Sequence, residues 1–277
     1  MDEIAQSACE LCGGTGWQLI VEDKVSRARR CSCSRPQSGE KSIASARIPP
    51  RYLACEFDNY FPKSHNQEIT KNKAIEFASD YPNLEDEFRG GSLLFTGISG
   101  SGKTHMATAV LKELLKKGFS GLFVDFHELL SEIRNTYDEL SQTSELDVLR
   151  PILGVDVLLL DDLGSQRMTD WVKDTVFHII NLRYNKNRTL LITTNLALEP
   201  SEGRKRHNMD AVEKRLTADT LQDRLGYPVV SRLYEMCTSF ECTWYDKGGE
   251  KYFDYRKEVK KAGSEMLGSR KGSQKPE

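Results

Sequence analysis

Residues 97–104 read Gly-Ile-Ser-Gly-Ser-Gly-Lys-Thr, an instance of G-x-x-x-x-G-K-[ST]. The chemistry of this spacing is phosphate binding. Gly97, Gly100 and Gly102 let the loop curl, with Ser99 and Ser101 between them, so that backbone N–H groups surround a polyphosphate. The helix expected next adds partial positive charge at its N-terminus. Lys103 reaches the β/γ-phosphates of ATP, and the Thr104 hydroxyl is a ligand for Mg²⁺. A second constellation closes the apolar run 155–160 with Asp161 and Asp162. There Asp161 suits Mg²⁺ held through its water shell, and Asp162 suits a water to be oriented or deprotonated. A third closes the run 188–195 on Thr193-Thr194-Asn195, where the Asn195 amide can contact both the γ-phosphate and the lytic water. These three together spell ATP hydrolysis.

The elements that must position these groups follow from periodicity. Residues 92–96 read as a buried strand, and 106–117 as a helix with Val110, Leu111, Leu114 and Leu115 on one side. Strands are expected at 121–126, 155–160, 188–195 and 239–245. Helices are expected at 127–140, in a charged stretch up to residue 150, and at 169–186. Trp171, Val172, Phe177, Ile180 and Tyr184 of that last helix are available for packing. Such alternation predicts a parallel sheet with right-handed crossovers, flanked by helices, and a nucleotide at the strand C-terminal ends. Residues 201–214 read as an exposed polar loop. Beyond it, the stretch 223–237 offers an arginine, Arg232 or Arg224, just before an apolar helix. The order of phosphate loop, acidic strand, polar-tipped strand and arginine is that of an oligomeric ATPase, in which such an arginine enters a neighbouring subunit's site. Arg232 is the first choice for that finger and Arg224 the reserve.

Seven cysteines direct attention to metal, since the N-terminus has no signal-peptide layout and a cytoplasmic chain forms few disulfides. Four of them, Cys9-x-x-Cys12 and Cys31-x-Cys33, flank a hairpin expected on residues 17–21 and offer Zn²⁺ four thiolates. The alternative is a set of unligated thiols in a segment with no core of its own. Cys55, Cys237 and Cys242 read as packing residues. The formal net charge of −2 excludes a uniformly basic nucleic-acid coat, although residues 24–51 hold eight Lys/Arg against one acid. No apolar run approaches the roughly 18 residues that span a bilayer.

On these motifs the chain resembles the helicase-loader branch of the AAA+ ATPases, the DnaC/DnaI proteins, with the transposition helper IstB as kin. The resemblance covers about residues 48–256. It is carried by Ile48-Pro49-Pro50-Arg51-Tyr52, by 97–104 followed by His105, by Leu160-Asp161-Asp162-Leu163-Gly164, by Thr193-Thr194-Asn195 and by Ser231-Arg232-Leu233-Tyr234-Glu235-Met236. The Cys-x-x-Cys-Gly-Gly-Thr-Gly-Trp front end is similar to the zinc-bearing module by which DnaI-like loaders grip the replicative helicase. The resemblance implies Lys103 and Thr104 as the Walker A pair and Asp161 and Asp162 as the Walker B pair. It further implies Asn195 as sensor 1, Arg232 as the arginine finger, and His105 and Arg256 at the nucleotide, Arg256 as a second sensor. The helical insertion between 126 and 155 resembles one that touches single-stranded DNA, where Arg134 and Arg150 suit either phosphate contacts or a solvated helix face. Asp162 stands where many AAA+ proteins carry Glu, which implies slow, switch-like hydrolysis. About thirty residues after the last expected strand leave no room for a C-terminal helical lid.

The expected organisation is a four-cysteine zinc module at 1–35, a linker at 36–50, an AAA+ core at 51–257 and a disordered basic tail at 258–277. The expected function is ATP-dependent loading of a replicative DNA helicase onto single-stranded DNA, by a self-associating cytoplasmic protein that binds no membrane. The alternatives are an IstB-like ATPase assisting a transposase and a nucleotide-latched zinc adaptor without turnover.

Overall fold

The computed structural model describes residues 17–22, 25–30, 39–84, 86–88, 90–137, 143–166, 168–198 and 219–242. Its centre is a five-stranded, all-parallel sheet of β3 (Ser92–Thr96), β4 (Gly121–Asp125), β5 (Val157–Asp161), β6 (Thr189–Thr194) and β7 (Cys237–Glu241), in the order β4-β5-β6-β3-β7. Strands β1 (Trp17–Glu22) and β2 (Val25–Arg30) form a separate antiparallel pair, with Trp17 opposite Arg30 and Glu22 opposite Val25.

Helices cover both faces of the five-stranded sheet, so its strands are continuous apolar runs rather than alternating ones. Leu93 and Phe95 of β3, Leu159 of β5 and Leu191 of β6 join one buried cluster. It includes residues of α2 (His65–Asp80) and α3 (Lys103–Lys116), which cover that face. Leu94, Leu158, Leu160, Leu190 and Ile192 point the other way. They meet α4 (Phe126–Asn135), α5 (Glu145–Gly154), α6 (Asp170–Asn185), α7 (Leu221–Leu225) and α8 (Tyr227–Met236). The period of two along each strand divides the two clusters.

Several boundaries differ from those expected. Helix α4 begins at Phe126, because the Asp125 side chain accepts from the N–H groups of His127 and Glu128 and caps it there. Helix α5 continues through Pro151 to Gly154, although a proline usually marks a helix end. Its last carbonyls are taken by two guanidinia: Arg183 donates to Ile152 O and Val155 O, and Arg188 to Gly154 O and Val155 O. The next strand therefore starts at Val157 and not at residue 155. Arg183 is itself buried, and burial pulls its guanidinium down to about 9. Strand β7 starts at Cys237, directly after α8.

The segment expected as a linker is partly built into the core. Helix α1 (Gly39–Ser45) lies within it and packs on α3, and the Ala46 and Ile48 that follow are buried. Phe123 N–H of β4 donates to Ala46 O at 2.7 Å, which ties this stretch to the sheet. Cys55, Cys237 and Cys242 are buried, and burial pushes their thiols up to about 11, 12 and 12. All three behave as packing residues.

Candidate nucleotide site

Strand order brings the site together. β6 lies between β3, which feeds the glycine loop, and β5, which carries the acids. The residue after β6, Asn195, therefore stands between Lys103 and Asp162. Its Oδ1 accepts from Lys103 Nζ at 2.8 Å, and its Nδ2 donates to Asp162 Oδ1 at 2.7 Å. The partners fix the orientation of the amide: an ammonium needs the oxygen and a carboxylate needs the nitrogen. Lys103 is buried and also donates to Gly97 O and Ile98 O, both at 2.8 Å.

The loop itself is held open. Gly102, with φ of 89°, precedes the first turn of α3 and has no side chain to cap it, which suits the N-terminus of α3 to an anion. Tyr60 and Gln67 brace the loop from outside. A Cβ on Gly102 would lie 2.6 Å from Tyr60 Cε2, and Gln67 Nε2 donates to Ser101 O at 3.1 Å. Gly97, with φ of 134°, passes so close to the chain after β7 that a Cβ there would meet Cys242 O at 2.5 Å.

On the acidic side, Asp161 ends β5 and is 6% exposed. Burial pushes its carboxyl above the usual range, while the hydroxyls of Thr193 and Thr104 pull it back. Asp161 and Thr104 thus sit together as a carboxylate–hydroxyl pair able to offer hard oxygen ligands to Mg²⁺. Asp162 follows with φ of 58°, in the left-handed region. A lysine at an open helix N-terminus beside such a pair fits a magnesium–nucleotide polyphosphate.

Other expected residues lie elsewhere. The His105 ring is within 2.9 Å of Glu56 O and packs against Tyr60, with ring centroids 5.3 Å apart. Burial lowers its pKa. It braces the segment preceding the loop. Arg232 lies within α8 rather than before it, and its described partners are on α6 and its own helix. Nε donates to Asn181 Oδ1 at 3.1 Å, Nη1 donates to Pro228 O at 2.7 Å, and the guanidinium covers the rings of Phe177 and Tyr184. Phe177, one of the residues expected to be available for packing, is 38% exposed beneath it. Arg224 is a clamp for the turn after Asp162, donating to Gly164 O at 2.6 Å and pairing with Asp219.

Arg134 lies 5.4 Å over the Trp171 ring. Trp171 lines a groove of about 530 Å³ with Tyr137, Leu146 and Phe177, and Glu145 and Asp174 also line it. Two carboxylates on that wall oppose a phosphate backbone. Cys9, Cys12, Cys31, Cys33 and Arg256, and the chain after Cys242 where a lid was not expected, lie outside the described residues.

With this geometry, the profile of the IstB-like ATP binding protein family matches residues 19–225. The chain belongs to that family. Among proteins similar to this IstB-like chain, the replicative helicase loader DnaC of Escherichia coli is 28% identical over 191 residues, 67% of this chain and 75% of DnaC. The PBSX phage-like element protein XkdC of Bacillus subtilis is 25% identical over 240 residues, 84% of this chain and 80% of XkdC. A crystal structure of the DnaC helicase loader matches with a TM-score of 0.55 at 34% identity, over 69% of this chain and 98% of the other. A DnaI structure matches at 0.53 and 23% identity, over 70% and 94%, and shares the fold.

Three contributors were missed by sequence reasoning. Tyr60 and Gln67 act on Ser101 from 41 and 34 residues away, with no motif around them. Thr193 carried a signal, since a threonine pair closes the apolar run of β6, but its role needs the register with β5.

Proposed function

We propose that this IstB-like protein is an ATP hydrolase that loads a replicative helicase. The observation that carries the reading is the hydrogen-bonded chain Lys103–Asn195–Asp162 beside the Thr104–Asp161 pair. A structural nucleotide latch needs Lys103 but has no use for a second acid wired to it through an amide. The similarity to DnaC supplies the class of partner.

In this reading the α3 N-terminus and Lys103 bind the polyphosphate, and Thr104 and Asp161 hold Mg²⁺. When bound, the ion neutralises charge on the phosphoryl group being transferred. Asp162 takes the proton of the attacking water, and Asn195 keeps that carboxylate in register with Lys103. Arg232, held on α6 and α8, completes a neighbouring copy's site, so self-association accompanies turnover. Cys9, Cys12, Cys31 and Cys33 hold Zn²⁺ in a module that grips the helicase, and Arg256 is a second sensor. Single-stranded DNA binds the ATPase core away from the acidic groove beside Arg134.

The test is co-elution with the replicative helicase of the same host, in ATP and Mg²⁺, with metal analysis of the purified chain. A complex, with one zinc per chain, supports the loader. The match to the IstB-like family favours one other reading, an ATPase that assists a transposase. Failure to bind the helicase together with ATP-dependent binding of a transposase would establish that one instead.

A further inference from the structure

Asp161 and Asp162 differ in role but share one fastening. The Thr193 hydroxyl donates to Asp161 Oδ1 at 2.5 Å and accepts from the backbone N–H of Asp162 at 2.9 Å. One residue on, Leu163 N–H donates to Thr193 O at 2.8 Å. Three successive residues at the end of β5 are thus tied to a single residue of β6. Thr193 is 1% exposed, and its neighbour Thr194 donates instead to Leu163 O.

We propose that Thr193 is a positioning residue that sets both acids at once, aiming the Asp161 carboxylate at the metal side of the site and locking Asp162 in its left-handed conformation on the water side. Three observations carry this inference, which rests on the hydrolase reading above. First, the one hydroxyl oxygen both donates to the Asp161 carboxylate and accepts from the Asp162 N–H, and valine, of the same shape, offers neither function. Second, Asp162 has φ of 58°, a conformation an L-residue keeps only when its surroundings hold it there. The Thr193 hydroxyl on its N–H and the Asn195 amide on its carboxylate hold it, along with Ser165 N–H, which donates to Asp162 O at 3.3 Å in the turn that follows. Third, threonine is stiff at χ1, so its hydroxyl direction is set by the strand and not by the ligand. The register of the sheet is thereby converted into the separation of the two carboxylates. Thr193 touches no substrate itself and acts through Asp161 and Asp162.

The experiment compares Thr193→Val, which keeps the shape, with Thr193→Ser, which keeps the hydroxyl. A fluorescent ATP analogue is titrated in chelator and then against Mg²⁺, and turnover is measured in the same full-length preparations. In Thr193→Val, binding in chelator should stay within about threefold of wild type, since it depends on Lys103 and the loop. The Mg²⁺ dependence and the turnover should each weaken by roughly ten- to a hundredfold, the range for groups that orient metal ligands. Thr193→Ser should recover both to within about threefold. An unchanged Mg²⁺ response in Thr193→Val would overturn the proposal. So would equal loss of binding in chelator, which marks general damage, or a Thr193→Ser variant as poor as Thr193→Val. Absence of turnover in wild type would instead sink the hydrolase reading, and the Mg²⁺ titration would still decide the part played by Thr193.

Discussion

The guanidinium of Arg232 lies 5.1 Å over the ring of Phe177, on the face of α6 that also presents Asn181 and Tyr184. Positions 177, 181 and 184 are spaced to share one side of a helix, so an aromatic, an amide and a second aromatic form a cradle for one cation. Tyr184 is in turn tied to α8, its hydroxyl donating to Glu235 at 2.7 Å. In the proposed reading, where Arg232 acts on a neighbouring copy's nucleotide, this cradle leaves little side-chain entropy to lose on docking.

Arg232→Ala should therefore leave nucleotide affinity within about threefold while lowering turnover by roughly a thousandfold, the scale of a missing arginine finger. Mixing it with Lys103→Ala subunits should restore part of the activity, since each variant supplies the half-site the other lacks. Steady-state assays across protein concentration decide the matter: turnover per chain that is independent of concentration and unaffected by mixing would rule out action in trans.

Asn195 accepts from Lys103 and donates to Asp162, so its two ends can be separated chemically. Asn195→Asp keeps the acceptor and sets a second carboxylate against Asp162. Nucleotide binding should persist, and turnover should fall by about a hundredfold or more, as for loss of one pre-organised polar contact at a reacting centre. Single-turnover measurement separates this from slow product release. A variant that hydrolyses normally would show that Asn195 serves only to anchor Lys103.

Gly102 is constrained twice, by φ of 89° and by the Tyr60 ring. Gly102→Ala should weaken nucleotide binding by more than about tenfold, since a Cβ at positive φ costs about 1 kcal/mol by itself and the clash adds to it. Adding Tyr60→Ala removes the clash but leaves the backbone strain, so calorimetry should find only partial recovery. Full recovery would assign the whole constraint to the ring.

The acidic and phosphate-binding segments were legible because their chemistry is local. A glycine loop needs its lysine next to it, and an apolar strand ending in two acids announces itself within a few residues. Topology was legible as far as parallel alternation and an Asn195 lying between the acidic strand and the glycine loop, which requires the insertion of β6 between β3 and β5; the places of β4 and β7 at the two edges are encoded by no periodicity. The insertion of β6 is what joins Asn195 to both Lys103 and Asp162. The exterior brace was illegible for a different reason. Tyr60, Gln67 and His105 act through backbone carbonyls and van der Waals contact, which leave no preferred spacing. Helix α1 was missed because its sequence, Gly-Glu-Lys-Ser-Ile-Ala-Ser, has few large apolar residues. What packs are Ile43 within it and the small Ala46 and the Ile48 beyond its end.

The ion pair behind the loop sets a pH dependence. Lys112, almost wholly buried on α3, donates to Leu53 O at 2.6 Å, to Cys55 O at 3.1 Å and to the Glu56 carboxylate. Burial pushes the Glu56 carboxyl up, but Lys112 and the more exposed Lys116 together outweigh it and hold the carboxyl below its usual value of 4.5. A carboxyl depressed in the folded state adds stability that is present above its unfolded pKa and is lost as pH falls through the folded one. The pair should thus support the fold fully near pH 7 and progressively less below about pH 4.5. Glu56→Gln removes this contribution, so its melting temperature should lie below wild type at about pH 7 and the two should converge as the pH falls below the usual carboxyl value and through the depressed folded one. Glu56 is about one-third exposed, which keeps the gap modest. Thermal melts of both proteins across that range test the sign: a gap that widens in acid would mean that Glu56 is strained against Lys112 rather than stabilised by it.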